Sequence, residues 1–266
     1  MLKIKNLHGA VEEKSILHGL DLEIRAGEFH VLMGPNGSGK STLAATLMGH
    51  PKYKVSEGSV EFLGEDLLEL APNERAIRGL FLAFQYPQEI PGVSLISFLR
   101  AIYNSVQKAR HADLDQEFEP VPLYHFKKQI AALLKLVGLP ASFLKRNTNE
   151  GFSGGEKKKT EILQLALLEP RLAILDEIDS GLDVDALKTI GQALAELRTS
   201  ERSFLLITHN PRVLKYVQAD HVHVMIEGRV VLSGEEELAH RLEREGFDFV
   251  REELGLKNNS PLTILN

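Results

Sequence analysis

Cysteine is absent from this sequence of 266 residues. Disulfides, thiolate metal sites and a thiol nucleophile are therefore excluded. No run approaches the roughly 20 consecutive apolar residues that a helix needs to cross a bilayer, and the first residues, MLKIKN, lack the apolar core of a signal peptide. Positive charge is not in excess either, because the formal net charge is -6. These absences predict a cytoplasmic protein, or one of the plastid stroma if the source is a plastid lineage, with no membrane span and no nucleic-acid partner.

The composition is that of an ordinary soluble globular protein. Hydrophobic residues make up 43% of the chain and charged residues 26%. The length allows one large domain, or two lobes that share a core.

A glycine-rich stretch, GPNGSGKST, is the strongest functional signal. It follows an apolar run over residues 29–33, precedes a helical pattern, and fits the phosphate-binding pattern G-x-x-x-x-G-K-[ST]. Glycines let backbone N-H groups surround phosphate oxygens, the lysine adds a positive charge for the β and γ phosphates, and the serine hydroxyl suits Mg²⁺. The predicted nucleotide-binding residues are Gly34, Pro35, Asn36, Gly37, Ser38, Gly39, Lys40, Ser41 and Thr42.

The alternative is a glycine turn followed by a helix that happens to begin with Lys-Ser. A chance match in a chain of this length is on the order of one in a hundred. The strand pattern before the stretch and the helix pattern after it favour nucleotide binding further.

Polar residues also follow three other predicted strands. Asp176 and Glu177 come after 172–175, His209 comes after 204–208, and Gln85 comes after 79–84. Open parallel sheets gather their ligands at the carboxyl ends of strands. Asp176 suits a Mg²⁺ site, and Glu177 could polarise an attacking water. Taken alone, an Asp-Glu pair could be a solvated turn, and a lone histidine at a strand end is usually structural.

Ser153, Gly154 and Gly155 precede a helical run and form a second predicted phosphate-binding helix end. One triphosphate does not require two such ends from one chain. Two copies paired head to tail would explain both ends, with the phosphate loop of one copy and the Ser-Gly-Gly of the other contacting the same γ-phosphate. The lysines that follow are more often a solvated face than a set of ligands.

The remaining pattern predicts a nucleotide-binding core with an inserted lobe. Alternating segments near 2–7, 20–24 and 59–63 predict a small antiparallel sheet. Residues 85–92 are predicted to form a loop, 95–106 a helix, 107–122 an exposed excursion, and 235–253 an amphipathic helix. The last ten residues, KNNSPLTILN, are predicted to be loosely held.

The order of these motifs resembles that of the ATP-binding cassette (ABC) ATPases across nearly the whole chain. The resemblance implies an α/β P-loop NTPase fold, with an ABC ATPase core, an antiparallel β subdomain and an inserted helical subdomain. It also implies one domain over 1–266, with the core at 1–87 and 169–266 and the helical subdomain at 88–168. The implied activity is hydrolysis of ATP with Mg²⁺. By resemblance, Gln85 contacts the metal and the water, Glu177 is the general base, His209 contacts the γ-phosphate, and the metal site comprises Ser41, Gln85 and Asp176.

Several longer stretches are similar to the ATPase family of the SUF iron-sulfur cluster assembly system. They are FQYPQEIPGVS, NEGFSGGEKKK and LDEIDSGLDVDALK. This resemblance implies SufB-like and SufD-like scaffold proteins as partners and a transient, ATP-dependent homodimer. One departure from the cassette pattern is Val11, which stands where an aromatic residue usually stacks on adenine.

Two other classes of function remain open. The chain could be the ATP-binding subunit of a membrane ABC transporter, which shares every cassette motif, or a nucleotide-gated structural protein without turnover. A further hypothesis is that a lysine such as Lys158 holds Glu177 away from its working position in the isolated subunit.

Overall fold

A computed structural model describes residues 1–113, 115–209, 211–253 and 255. The predicted loosely held end, from 257, lies outside the described residues. The strands are β1 (Leu2–Val11), β2 (Lys14–Ile24), β3 (Phe29–Met33), β4 (Tyr53–Phe62), β5 (Glu65–Asp66), β6 (Leu80–Ala83), β7 (Ile90–Ser94), β8 (Asn147–Thr148), β9 (Leu172–Asp176), β10 (Ser203–Ile207), β11 (His221–Ile226) and β12 (Arg229–Gly234). The α-helices are α1 (Lys40–Leu47), α2 (Pro72–Ile77), α3 (Leu95–Ala112), α4 (Leu123–Leu136), α5 (Gly154–Leu168), α6 (Val184–Leu197), α7 (Glu236–Glu245) and α8 (Asp248–Glu253). Short 3-10 helices span Leu67–Glu69, Ala141–Lys145 and Pro211–Lys215.

The central sheet has the strand order β12-β11-β3-β10-β9-β6. The pairs β11/β3, β3/β10, β10/β9 and β9/β6 are parallel, and β12 pairs antiparallel with β11. β3, β9 and β10 are buried along their whole length, as expected for apolar strands that are covered on both faces. The carboxyl ends of β3, β10, β9 and β6 therefore lie side by side at one edge.

A second, antiparallel sheet has the order β2-β1-β4-β5. Along β1, Leu2, Ile4 and Leu7 are buried, which places one face of the strand against the core. The α/β fold with an additional antiparallel sheet, predicted from the sequence, is confirmed.

The segment between β6 and β9 contains α3, α4 and α5. It differs from the prediction at two places. The predicted loop over 85–92 ends in strand β7, which pairs with β8 and includes Pro91. Proline is tolerated there because this two-stranded ladder leaves edge positions whose N-H groups need no partner. In addition, α3 extends to Ala112, so the predicted excursion begins later than 107.

The C-terminal helical pattern is interrupted. It forms α7 and α8 in place of one helix, with Gly246 between them at a φ of 71°. That backbone conformation favours glycine and ends a helix.

Two apolar clusters hold these layers together. One joins the central sheet to α3, α4, α5 and α6, and includes Phe29 and Phe204 with ring centroids 5.2 Å apart. The other joins the antiparallel sheet to α1 and the opposite face of the central sheet. The strands that end at the carboxyl edge are therefore packed against apolar residues on both faces of the central sheet.

Candidate functional site

The phosphate-binding loop connects β3 to α1 and is held closely against the sheet. A Cβ atom at Gly34 would lie 2.2 Å from the carbonyl oxygen of Met225, so no other residue fits there without a shift. Gly39 precedes the helix with a φ of 106°, and no side chain caps α1. The first N-H groups of α1 are therefore available to an anion, as predicted.

Lys40 is folded back onto its own loop. Its Nζ donates hydrogen bonds to the carbonyl oxygens of Gly34, at 2.8 Å, and Pro35, at 3.0 Å. Burial lowers the pKa of this lysine, while the carboxylates of Glu177 and Asp176 oppose that shift. A phosphate group would offer the ammonium a stronger, charged acceptor than these carbonyls.

Ser41 and Asp176 lie together. The Ser41 hydroxyl donates to Oδ1 of Asp176 at 3.2 Å. Burial raises the pKa of Asp176, against the opposing effect of the Ser41 hydrogen bond. A hydroxyl and a carboxylate are oxygen ligands of the type that Mg²⁺ prefers, and a cation nearby would lower the pKa of this carboxyl. The pair fits a Mg²⁺ site.

Glu177 is contacted by both of the other predicted catalytic residues. Nε2 of Gln85 donates to one carboxylate oxygen at 2.6 Å, and Nδ1 of His209 lies 3.3 Å from the other. Glu177 has a φ of 49°, a left-handed conformation that non-glycine residues rarely adopt. Its N-H donates to the carbonyl of Ile207 at 2.8 Å, which secures that conformation. The structure thus brings Gln85, Glu177 and His209 together, as strand-end positions predict.

Lys158 does not hold Glu177 directly. Its Nζ donates to the carbonyl oxygens of Phe84, at 2.7 Å, and Gln85, at 2.9 Å, and lies 3.9 Å from Glu161. The hypothesis that this lysine holds Glu177 away from its working position therefore has no direct contact to support it. The lysine instead fixes the backbone that carries Gln85, because a buried ammonium requires acceptors and the strand-end carbonyls are the nearest.

Glu161 also contacts the segment that carries Gln85, and the sequence did not predict this contact. One of its carboxylate oxygens accepts the N-H of Phe84 at 2.8 Å, and the side chain is almost fully buried. Burial raises the pKa of Glu161 to about 7, although Lys158 opposes the shift. The only sequence signal was its position three residues after Lys158 on one helix, which does not identify the loop it contacts.

The second predicted helix end is formed by Ser153 at the start of α5. Its hydroxyl accepts the N-H of Glu156 at 3.3 Å, and Oε2 of Glu156 accepts the N-H of Ser153 at 2.7 Å. This capping box leaves the hydroxyl proton of Ser153 and the N-H groups of Gly154 and Gly155 free of intrahelical bonds. Ser153 and Gly154 are exposed, so this end faces solvent in the single chain.

A cleft of about 430 Å³ lies beside the phosphate-binding loop. It is lined by Lys14, Ser15, Ile16, His18, Gly37, Glu227 and Arg229. Val11 is not among them, so the position where an aromatic residue was expected does not line this cleft.

Comparison with known proteins agrees with this geometry. A family model described as ABC transporter matches residues 17–180. A nucleotide-free ATP-binding cassette from an ABC transporter superposes with a TM-score of 0.74 at 25% identity, covering 94% of this chain and 98% of that one. A dimeric cassette bound to ADP and phosphate superposes with a TM-score of 0.73 at 23% identity, covering 88% and 98%. The chain belongs to the ABC transporter family of ATP-binding cassettes, and it is an ATPase.

Relatives with higher sequence identity show which members of the ABC family this chain resembles. The chain is 49% identical to the Escherichia coli (strain K12) protein named "Probable ATP-dependent transporter SufC", over 95% of this chain and 100% of that protein. It is also 49% identical to "Vegetative protein 296" of Bacillus subtilis (strain 168), over 97% and 96%. The resemblance to SufC-type ATPases is thus confirmed. Within the part of the chain that the structure describes, no helix is both long and apolar enough to cross a membrane.

Proposed function

We propose that this chain is the ATPase of an iron-sulfur cluster assembly system and that it acts on a SufB-like and SufD-like scaffold. The observation that carries the proposal is the similarity to the Escherichia coli SufC protein across nearly the whole of both chains. The absence of cysteine is compatible with this role, since cluster and persulfide chemistry would then belong to the scaffold.

In the proposed site, the phosphate-binding loop and Lys40 hold the phosphates of ATP, and Ser41 and Asp176 hold Mg²⁺. The metal would neutralise charge that develops on the phosphate oxygens. Glu177 is the proposed general base. Each of its carboxylate oxygens has one partner, Gln85 or His209, and each has a second lone pair that could accept the attacking water.

The proposed active unit is a head-to-tail homodimer that forms with ATP. Ser153, Gly154 and Gly155 of a second copy would complete each site, with free N-H groups at the N-terminus of α5 directed at the γ-phosphate. Support comes from the exposure of this helix end in the single chain. The open space around Gly154, where a Cβ atom would meet nothing within 4 Å, leaves room for close approach. Closure of the dimer would move the bound scaffold, and hydrolysis would reopen it.

We also propose boundaries for the two parts of the chain. Residues 1–87 and 169–266 would form the nucleotide-binding core, and 88–168 the helical subdomain that carries the Ser-Gly-Gly end and docks the scaffold. Localisation in the cytoplasm or the plastid stroma would follow from the same role.

The first experiment measures ATP hydrolysis with and without SufB-like and SufD-like proteins from the same source. We expect the scaffold to stimulate hydrolysis, and we expect cluster formation on the scaffold to require ATP. The Glu177→Gln variant should lose turnover by roughly 10²-fold or more, the scale of general-base catalysis, and should accumulate as an ATP-bound dimer in size-exclusion chromatography. Full turnover in this variant would remove Glu177 from the role of base.

A second candidate is the ATP-binding subunit of a membrane transporter. It is favoured by the names of relatives, such as "Probable ATP-dependent transporter slr0075" of Synechocystis sp. (strain ATCC 27184 / PCC 6803 / Kazusa), which is 50% identical over 96% of this chain. Purification of the chain from its own cells distinguishes the two. Association with membrane polypeptides, with no stimulation by the scaffold, would favour the transporter.

A further inference from the structure

A cluster of histidines and a carboxylate lies at the edge of the central sheet opposite to the nucleotide site. It contains Glu28, His30 and His221, at the amino ends of β3 and β11. His30 and His221 are direct partners in the parallel ladder between these strands. Neighbouring residues in such a ladder project from the same face of a sheet, so the two imidazoles are placed side by side.

The potential ligand atoms of this cluster converge. Oε2 of Glu28 is 2.9 Å from Nε2 of His30, and Oε1 of Glu28 is 3.7 Å from Nε2 of His221. One ligand atom from each residue lies within 4.8 Å of the others. Tetrahedral zinc, with bonds of about 2.0–2.1 Å, has ligand atoms roughly 3.3 Å apart. Small side-chain movements would therefore bring the three ligand atoms to the separation that zinc requires.

The opposite nitrogen of His30 is held by a buried hydrogen-bond chain. Nδ1 of His30 lies 2.9 Å from Nε2 of His223, and Nδ1 of His223 lies 2.8 Å from Oγ of Ser233. Without a metal, Nε2 of His30 carries the proton and donates to Glu28, so Nδ1 of His30 accepts from Nε2 of His223, and Nδ1 of His223 accepts from the Ser233 hydroxyl. If a metal took Nε2 of His30, the same chain would reverse, with His30 donating from Nδ1 to His223 and His223 donating from Nδ1 to Ser233. This is the outer support that orients metal-binding histidines.

The donor atoms of the group suit a cation. They are two imidazole nitrogens and one carboxylate oxygen. A metal takes an imidazole nitrogen through its lone pair, so the proton that Nε2 of His30 donates to Glu28 would leave when the metal binds.

The group is also accessible. The side chain of His221 is 46% exposed and that of Glu28 20%. Both line a cleft of about 770 Å³ that also contains Asp220, Glu236 and His240. A metal bound by three protein ligands would keep its remaining position open to water from this cleft.

We propose that Glu28, His30 and His221 bind one divalent first-row transition metal of the zinc type. Two imidazole nitrogens and one carboxylate oxygen favour such an ion over Mg²⁺ or Ca²⁺, which take oxygen ligands. The metal would tie β3 to β11 at the end opposite to the phosphate-binding loop and stabilise the folded chain. This site is independent of the proposed role in cluster assembly.

Binding of Co²⁺ tests the proposal on tag-free protein without nucleotide or Mg²⁺. Co²⁺ is a spectroscopic substitute for Zn²⁺, and we expect one equivalent to bind with the visible absorption of a low-symmetry site. His221→Ala should weaken binding at least tenfold. The matched control is His240→Ala, which removes another histidine from the same cleft and should leave the affinity unchanged.

Thermal unfolding gives a second measurement. Zn²⁺ should raise the melting temperature of the wild type and of His240→Ala, because a ligand that binds only the folded chain stabilises it. It should not raise that of Glu28→Gln, which keeps the hydrogen-bond acceptor for His30 but loses the anionic ligand. Unchanged Co²⁺ affinity in both His221→Ala and Glu28→Gln would overturn the proposal, as would the absence of one-to-one binding below about 1 mM. The histidines would then form a structural hydrogen-bond chain only.

Discussion

Replacing Glu161 by glutamine is expected to remove a pH-dependent loss of stability caused by burial of this carboxyl group. Glu161 is 4% exposed and accepts the N-H of Phe84. Burial raises its pKa from the ordinary value of 4.5 to about 7. Glutamine keeps the size and the carbonyl oxygen that accepts from Phe84, but it cannot ionise.

The direction of the pH dependence follows from the number of protons bound in the folded and unfolded states. Between pH 4.5 and pH 7 the folded chain retains a proton on Glu161 that the unfolded chain releases. The free energy of unfolding therefore falls as the pH rises through this window and levels off above pH 7. For these two pKa values, the contribution changes by about 2.5 kcal/mol between pH 5 and pH 8.

Urea unfolding of wild type and Glu161→Gln at pH 5, 6, 7 and 8 measures the effect. The difference in unfolding free energy, wild type minus variant, should fall by about 2.5 kcal/mol over this range. A constant packing difference shifts all four values equally and does not affect the comparison. Glu237→Gln, at an exposed position, is the control and should run parallel to the wild type. Parallel curves for Glu161→Gln as well would refute the assignment of a raised pKa to this carboxyl.

Four further substitutions test the proposed site. Lys40→Ala should nearly abolish turnover, since it removes the buried ammonium beside the phosphates, and ATPase assays would detect any retained rate. Gly34→Ala should weaken ATP binding by tenfold or more, because the added Cβ would collide with the carbonyl of Met225. Gly154→Ala is the control, since its Cβ would meet no atom within 4 Å, and this variant should bind ATP normally as a single chain. Calorimetry measures the ATP affinity of both variants. Lys158→Met should lower turnover severalfold without changing ATP affinity, because it releases the carbonyls at the end of β6. An ATP affinity that fell with the turnover would instead place Lys158 in nucleotide binding.

The local parts of the candidate site could be predicted from the amino-acid sequence alone. The phosphate-binding loop is contiguous, so its glycines, Lys40 and Ser41 predict their own geometry. Gln85, Glu177 and His209 each follow an apolar strand, and parallel strands place their carboxyl ends at one edge. The convergence of these three residues was therefore predictable from their positions after strands.

Contacts between side chains from distant segments could be identified only once the chain was seen folded. The strand order β3-β10-β9-β6 sets the contacts around Glu177, and the sequence does not state that order. Lys158 was predicted to hold Glu177, but packing of α5 against β6 directs it to backbone carbonyls instead. His30 and His223 meet although they are 193 positions apart, because the register of two strands brings them together. Local conformation depends on nearby residues, whereas register and burial depend on the whole packed core.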